Sequence, residues 1–150
     1  MLLSLLVSLI SGCGKETPST LATGGFDEKE METAIADARK NIDRFLAELK
    51  KPTGDSHAVK VPIVDGEHTE HFWMSDLQVV GGEFRGVINN EPAKVSNVKL
   101  GQSWSIKINE VSDWMYMKDG KIFGNYTLRP LLKNMPAEEA DNIRGMLAEP

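Results

Sequence analysis

Cysteine is nearly absent from this sequence, because Cys13 is the single one among 150 residues. The chain therefore forms no internal disulfide and has no set of cysteines for a zinc site. An excess of positive charge is also lacking, since 17 Lys and Arg stand against 22 Asp and Glu and the formal net charge is −5. An acidic domain repels phosphate backbones, so we expect no nucleic-acid partner.

Familiar catalytic signatures are missing as well. The sequence contains no G-x-S-x-G nucleophile motif, no Walker loop and no dinucleotide-binding glycine fingerprint, and no cofactor is expected. Hydrophobic residues nevertheless make up 41% of the chain, which is enough to build one core and argues against a disordered protein. The length fits one domain with appendages.

The first ten residues, "MLLSLLVSLI", are apolar apart from two serines. This run is about half of the roughly 20 residues that a spanning helix needs, and it has the length of a signal-peptide hydrophobic region. The next residues, "SGC", complete the stretch "ISGC", which resembles the bacterial lipobox. The resemblance implies that diacylglycerol is attached to the Cys13 sulfur, that cleavage occurs before Cys13, and that the new amino group is acylated. The alternative is a buried apolar N-terminus with a spare thiol.

Two features around Cys13 refine this prediction. Signal peptides begin with Lys or Arg, and none precedes Cys13, which predicts a natural start upstream or a trimmed sequence. Gly14 is not Asp, so the second mature position carries no obvious inner-membrane retention signal. We expect a lipid-anchored protein of the bacterial cell envelope, on the outer membrane and facing the periplasm. Two or more acyl chains give the stable membrane attachment that one chain does not.

The chain divides into three predicted parts. Residues 1–12 are the signal peptide, and residues 13–25 are the lipidated cysteine with a flexible tether rich in Gly, Ser, Thr and Pro. Residues 26–150 are one globular domain. It opens with a helix that Asp27 and Glu30 begin as a capping box and that Pro52 ends. Apolar residues recur in this helix at three- and four-residue spacing, which predicts a core-facing stripe, although a partner-binding helix would show the same pattern.

From Ala58 onward the apolar period changes to two, which predicts strands. Glycine-containing turns separate five or six of them as far as Tyr126, and Asp119-Gly120 favours a type I′ hairpin turn. A short helix follows Pro136. The predicted class is therefore α+β, with an N-terminal amphipathic helix packed on an antiparallel, strongly curved sheet of five or six strands. A partly open barrel is one form that such a sheet takes.

Two stretches carry candidate site residues. In "EHTEHFW", residues 67–73, Glu70 and His71 are candidates for catalysis. His68 and His71 would point to opposite faces of a strand, which argues against a shared metal ion, and no metal site is predicted. The helical spacing of zinc enzymes of the H-E-x-x-H type is absent.

The second stretch, "SDWMYMKDGKIFGNYTLRP", covers residues 112–130. Aromatic side chains lie there beside a carboxylate and a guanidinium, so Asp113 is a candidate general base and Arg129 a candidate anion clamp. The structural alternative is that Asp113 caps a turn and Trp114 fills the core. The predicted binding surface comprises Trp73, Asp113, Trp114, Tyr126 and Arg129, with no residue assigned to catalysis.

The same block, together with "EHFW" and "GGEFRGVINNEP", resembles the YegJ-like family of bacterial proteins, a domain of unknown function. The similarity spans roughly residues 34–135 and implies no reaction, cofactor or catalytic residue. We expect a non-catalytic binding or interaction module, in one variant an inhibitor or immunity protein, with an envelope protein or peptide as partner. The alternative is a small envelope hydrolase that uses Glu70, His71 and Asp113.

Overall fold

The computed structural model describes residues 26–150. The predicted signal peptide, the tether and Cys13 lie outside the described residues. In the described part of the chain, no helix is both long and apolar enough to cross a membrane.

Two helices occupy the region where the sequence predicts one. They are α1 (Glu28–Lys40) and α2 (Ile42–Lys50). Asp27 caps α1 as predicted, because its carboxylate accepts the backbone N–H of Glu30 at 3.0 Å. The Glu30 carboxylate accepts from the Lys133 ammonium instead of closing the capping box. The break falls at Asn41, whose backbone N–H and side-chain amide both donate to the Asp37 carbonyl.

Six antiparallel strands form one sheet, which confirms the predicted α+β class. The strands are β1 (Asp55–Asp65), β2 (His68–Val80), β3 (Glu83–Ile88), β4 (Ser103–Lys107), β5 (Asp113–Lys118) and β6 (Lys121–Gly124). Their order across the sheet is β4-β3-β2-β1-β5-β6, so the two end strands do not meet and the sheet is open. The β5–β6 turn has φ of 52° at Asp119 and 72° at Gly120, as the predicted type I′ turn requires.

The two faces of the sheet have different roles. Val59 lies opposite Met74 on one side and Trp114 on the other, and all three point to the face on which α1 and α2 pack. We call this the core face. Phe45 of α2 stacks on Trp114 with 5.4 Å between ring centroids, at the centre of the main hydrophobic cluster. The opposite, second face carries the alternate residues of β1, β2 and β5.

The C-terminal segment covers one edge of the sheet. It contains α3 (Leu128–Leu131) and α4 (Ala137–Met146), the latter confirming the helix predicted after Pro136. Beyond α4, Leu147 forms a parallel bridge with Ile122 of β6, and the Ala148 N–H donates to the Ile122 carbonyl. The outer edge of β6 is therefore partly paired.

Candidate functional site

Lys60 lies at the centre of the second face. It is on the central strand β1, directly opposite Trp73 of β2 and Asp113 of β5. Its ammonium nitrogen lies 4.7 Å from the Trp73 ring centroid, a cation–π distance. The same nitrogen donates a hydrogen bond of 2.6 Å to the Thr127 hydroxyl. The structure thus joins two predicted site residues, Trp73 and Asp113, through Lys60, which no sequence pattern indicates as a site residue.

Asp113 is completely buried and accepts four hydrogen bonds. The backbone N–H groups of Trp114 and Tyr126 donate to one carboxylate oxygen. The N–H and the hydroxyl of Thr127 donate to the other, at 2.8 and 2.7 Å. Asp113 therefore holds the turn that follows β6 in place, whereas the structural alternative has it cap the turn after "NEVS", residues 109–112.

The charges of Lys60 and Asp113 depend on each other. Burial raises the pKa of Asp113, while the Lys60 charge and the donors from Thr127 and Trp114 oppose that rise. Burial likewise lowers the pKa of Lys60, and the Asp113 charge opposes it. Four donors directed at one carboxylate favour its ionised form. The pair is therefore suited to holding two strands and a turn together through opposite charges.

His71 lies beside this pair on the second face. Its Nδ1 atom is 2.9 Å from the hydroxyl oxygen of Ser112, which is itself 3.2 Å from the Lys60 carbonyl. Burial, with a smaller contribution from the Lys60 charge, lowers the pKa of His71 to about 4. The imidazole is therefore neutral at physiological pH. Ser112 is 1% exposed, which keeps its hydroxyl away from a substrate in solution.

Three other predicted site residues lie on the core-face side of β5 and in the turn that follows β6. Trp114 is 1% exposed, and its indole N–H donates to the Ala38 carbonyl of α1. The Tyr126 ring packs edge-on against Trp114 at 5.5 Å. Arg129 donates to the Ala148 carbonyl and lies over the Tyr126 ring at 5.9 Å. The five predicted surface residues therefore divide between the two sides of the sheet, and their binding role stays a prediction.

Glu70 points to the core face, opposite Ile63. Its carboxylate accepts the backbone N–H groups of Ala93, Lys94 and Val95, so it anchors the loop between β3 and β4. Burial opposes ionisation of Glu70, and these bonds outweigh it and lower its pKa. His71, the next residue, points the other way. Glu70 and His71 therefore do not converge on one reacting atom.

The side chains that most often bind metal ions do not cluster within residues 26–150. No group of three or more His, Cys, Asp or Glu side chains lies close enough there to hold a metal ion. His68 and His71 both belong to β2, where the three-residue spacing directs them to opposite faces.

The outer edge of β4 is a surface of a different kind. β4 is the end strand of the sheet and pairs on one side only, with β3. Bonds from the Ile88 N–H to the Gln102 carbonyl and from the Ile108 N–H to the Gly82 carbonyl fix which residues face β3. By the alternation of an antiparallel ladder, the N–H and C=O groups of Ser103, Ser105 and Lys107 point outward.

A cavity of about 630 Å³ lies beside this edge. Six of its nine lining residues have polar side chains, and the nine come from β2, β3, β4 and the residue before β4: Asp76, Gln78, Arg85, Gly86, Val87, Gln102, Ser103, Trp104 and Ser105. Ser103 and Ser105 are exposed and belong both to the cavity and to the outward-facing edge. Unpaired main-chain groups and polar side chains therefore lie next to each other along β4.

Sequence reasoning missed Lys60 and the β4 edge for different reasons. Lys60 stands in an alternating strand where a charged residue predicts a solvent-facing position, and its two cross-strand partners are remote in sequence. The stretch "VKVPI" does place this lysine between apolar residues of a predicted strand, which is a local signal. Which strand forms an edge depends on the strand order, which periodicity does not give.

Comparison with known proteins gives relatives without a described activity. Residues 28–146 match the family model described as "Uncharacterized protein conserved in bacteria (DUF2314)". The chain is 47% identical over 147 residues to "Uncharacterized protein YegJ" of Escherichia coli K12, covering 98% of this chain and 95% of that protein. It is 37% identical over 89 residues to "Putative ankyrin repeat protein NMB1133/NMB1171" of Neisseria meningitidis serogroup B, of which it spans 35%.

No solved structure matches the chain. The family match covers most of the sequence, and the Escherichia coli relative aligns over nearly its whole length. These two matches confirm the family resemblance that the "EHFW" and "SDWMY" stretches indicate. The chain belongs to the DUF2314 family, whose members are uncharacterized proteins conserved in bacteria.

Proposed function

We propose that this protein is a lipid-anchored component of the bacterial cell envelope that binds an extended peptide segment of a partner protein along the outer edge of β4. The proposal rests on one observation, the unpaired edge of β4 beside a polar cavity. A peptide that adds there as a seventh strand gains main-chain hydrogen bonds, and its alternate side chains enter the cavity.

The two edges of the sheet differ in a way that favours β4. The outer edge of β6 is partly paired through Leu147 and Ala148. The outward N–H groups of Ser103, Ser105 and Lys107 have no backbone partner within residues 26–150. Unpaired edge groups of this kind accept another strand. A partner strand is therefore expected at β4.

The cavity indicates what the peptide carries. Arg85 and Asp76 supply one charge of each sign, and Gln78, Gln102 and the two serines supply neutral donors and acceptors. Polar side chains on the peptide satisfy these groups, whereas a large apolar side chain would leave them unpaired at a free-energy cost. The proposed partner segment therefore presents alternating polar residues.

The hydrolase alternative has less support from the positions of its residues. Glu70 and His71 point to opposite faces, and each is already engaged with a neighbouring loop or strand. Asp113 is fully buried and uses its carboxylate to hold the turn after β6. A general base must reach a substrate proton, and this carboxylate has no exposed surface from which to do so.

The membrane anchor is part of the proposal. The "ISGC" stretch supports lipidation of Cys13, and a tether of about twelve residues would hold the domain on the order of 20 Å from the bilayer. Labelling cells with a fatty-acid analogue tests this directly. Wild-type protein should carry the label and Cys13→Ser should not, and equal labelling of both would contradict the anchor.

Site-specific photo-crosslinking in cells tests the β4 surface. A photoreactive residue replacing Ser105 should give a discrete protein adduct, because its side chain borders the proposed peptide. The same probe replacing Glu32, an exposed residue of α1, serves as the matched control and should give none of that adduct. An adduct from Glu32 alone, or from neither position, would contradict the assignment of the surface.

A further inference from the structure

A second cavity, of about 640 Å³, lies between α1 and α3. It is bordered by Lys29, Glu30, Thr33, Ala34, Asp37, Asn41, Tyr126, Arg129, Pro130, Lys133 and Pro150. We call it the α1–α3 cleft. It shares no lining residue with the cavity beside β4. The proposed peptide-binding surface therefore does not account for it.

Two polar groups of this cleft are buried without a hydrogen-bond partner. They are the Tyr126 hydroxyl and the Nε atom of Arg129. Tyr126 is 3% exposed, and the Arg129 guanidinium lies 5.9 Å from its ring centroid, so the two side chains are neighbours. A native fold rarely leaves buried donors unpaired, and such groups indicate a missing acceptor.

The rest of the lining suggests which acceptor fits. Its charged side chains are Lys29, Arg129 and Lys133 of one sign and Glu30 and Asp37 of the other, and the Glu30 carboxylate is already paired with Lys133. Ala34, Pro130 and the Tyr126 ring add apolar surface. The wall of the cleft thus contains two buried, unpaired donors, one of them on a guanidinium, in a partly apolar setting.

We propose that the α1–α3 cleft binds a small carboxylate with an apolar body. One carboxylate oxygen accepts the Tyr126 O–H and the other accepts the Arg129 Nε–H. Burial raises the pKa of Tyr126, so its phenol keeps the proton that it donates. A charge-assisted pair of bonds of this kind gives both strength and orientation. The same chemistry occurs in a free organic acid and in the carboxyl terminus of a peptide.

Nuclear magnetic resonance of the Arg129 Nε–H group in the purified full chain tests this site. Benzoate serves as the free acid and N-acetylphenylalanine as the peptide terminus, each compared with its neutral amide at constant ionic strength. We expect a saturable shift of the Arg129 signal with at least one acid and none with the amides. The acid that binds more tightly identifies the source of the ligand.

Two matched Tyr→Phe variants test whether the Tyr126 hydroxyl takes part in binding. Tyr126→Phe removes only the hydroxyl and should weaken acid binding by about tenfold, because one charge-assisted hydrogen bond is lost. Tyr116→Phe changes a tyrosine of β5 outside the cleft and should leave binding unchanged. The inference is overturned if neither acid shifts the signal, if the amides shift it equally, or if Tyr126→Phe binds as wild type does.

Discussion

Lys60 and Asp113 lie opposite each other on β1 and β5, and the hydroxyl of Thr127 joins their charges. The ammonium donates to this hydroxyl at 2.6 Å, and the hydroxyl donates to the carboxylate at 2.7 Å. One threonine thus connects the central strand, the neighbouring strand and the turn after β6.

Replacing Asp113 should be strongly destabilising. In Asp113→Asn the amide NH2 would meet N–H or O–H donors in either orientation, and the partly buried Lys60 charge would lose its partner. Removing one member of a buried pair costs about 3–5 kcal/mol. Urea unfolding measures this loss. Asp119→Asn, at an exposed turn position with positive φ that asparagine tolerates, is the control and should change stability little.

Two substitutions of Thr127 should separate the effect of its hydroxyl on stability from the effect of its branched shape. Thr127→Val keeps the branched side chain but removes the bond to Asp113 and the acceptor for Lys60. The expected loss is about 1–3 kcal/mol, because buried polar groups are left unpaired. Thr127→Ser retains the hydroxyl and should lose less stability. If thermal or urea unfolding shows Thr127→Ser to be less stable than Thr127→Val, the hydroxyl is not what joins Lys60 to Asp113.

His71 should make the stability of the domain depend on pH. Its pKa is lowered from the ordinary 6.5 to about 4, so the unfolded chain binds a proton at a higher pH than the folded one. The contribution of neutral His71 to the free energy of unfolding is therefore complete above pH 6.5, and it is lost as the pH falls towards 4. Urea midpoints across this range should fall more steeply for wild type than for His71→Gln. Equal slopes would show that burial does not hold this imidazole neutral.

Gly124 should tolerate no side chain. Its φ is +74°, and a Cβ there would lie 2.2 Å from the Trp114 carbonyl oxygen. Gly124→Ala must therefore shift backbone at the start of the turn that Asp113 holds, at a cost of roughly 2 kcal/mol or more. Gly145, in α4, has open space around it, and Gly145→Ala should be neutral or stabilising by about 0.5–1 kcal/mol. Comparing the melting temperatures of the two variants checks both.

The sequence predicted the elements of this fold better than its candidate site. Strand periodicity located Val59, Val61 and Ile63 in the core, and glycine-containing turns located the hairpins, because both signals are local. The break at Asn41 was missed because apolar spacing continues through it. Tyr126 and Arg129 were selected for their chemistry, but their unpaired atoms depend on the packing of α1 against α3, which no local pattern encodes.

Strand addition at β4 can be tested most directly with a backbone change that leaves the sheet intact. The Ser105 N–H points outward, so Ser105→Pro removes a bond to an added strand without removing one to β3. Ser105→Ala changes the same side chain and keeps that N–H. A photoreactive probe replaces the exposed Gln78, across the cavity, in each of the three proteins. If a peptide adds to β4, the partner adduct forms in the wild-type and Ser105→Ala backgrounds. The adduct is lost in the Ser105→Pro background, although that protein is folded. Equal adducts in the proline and alanine variants, or none in wild type, would contradict strand addition at β4.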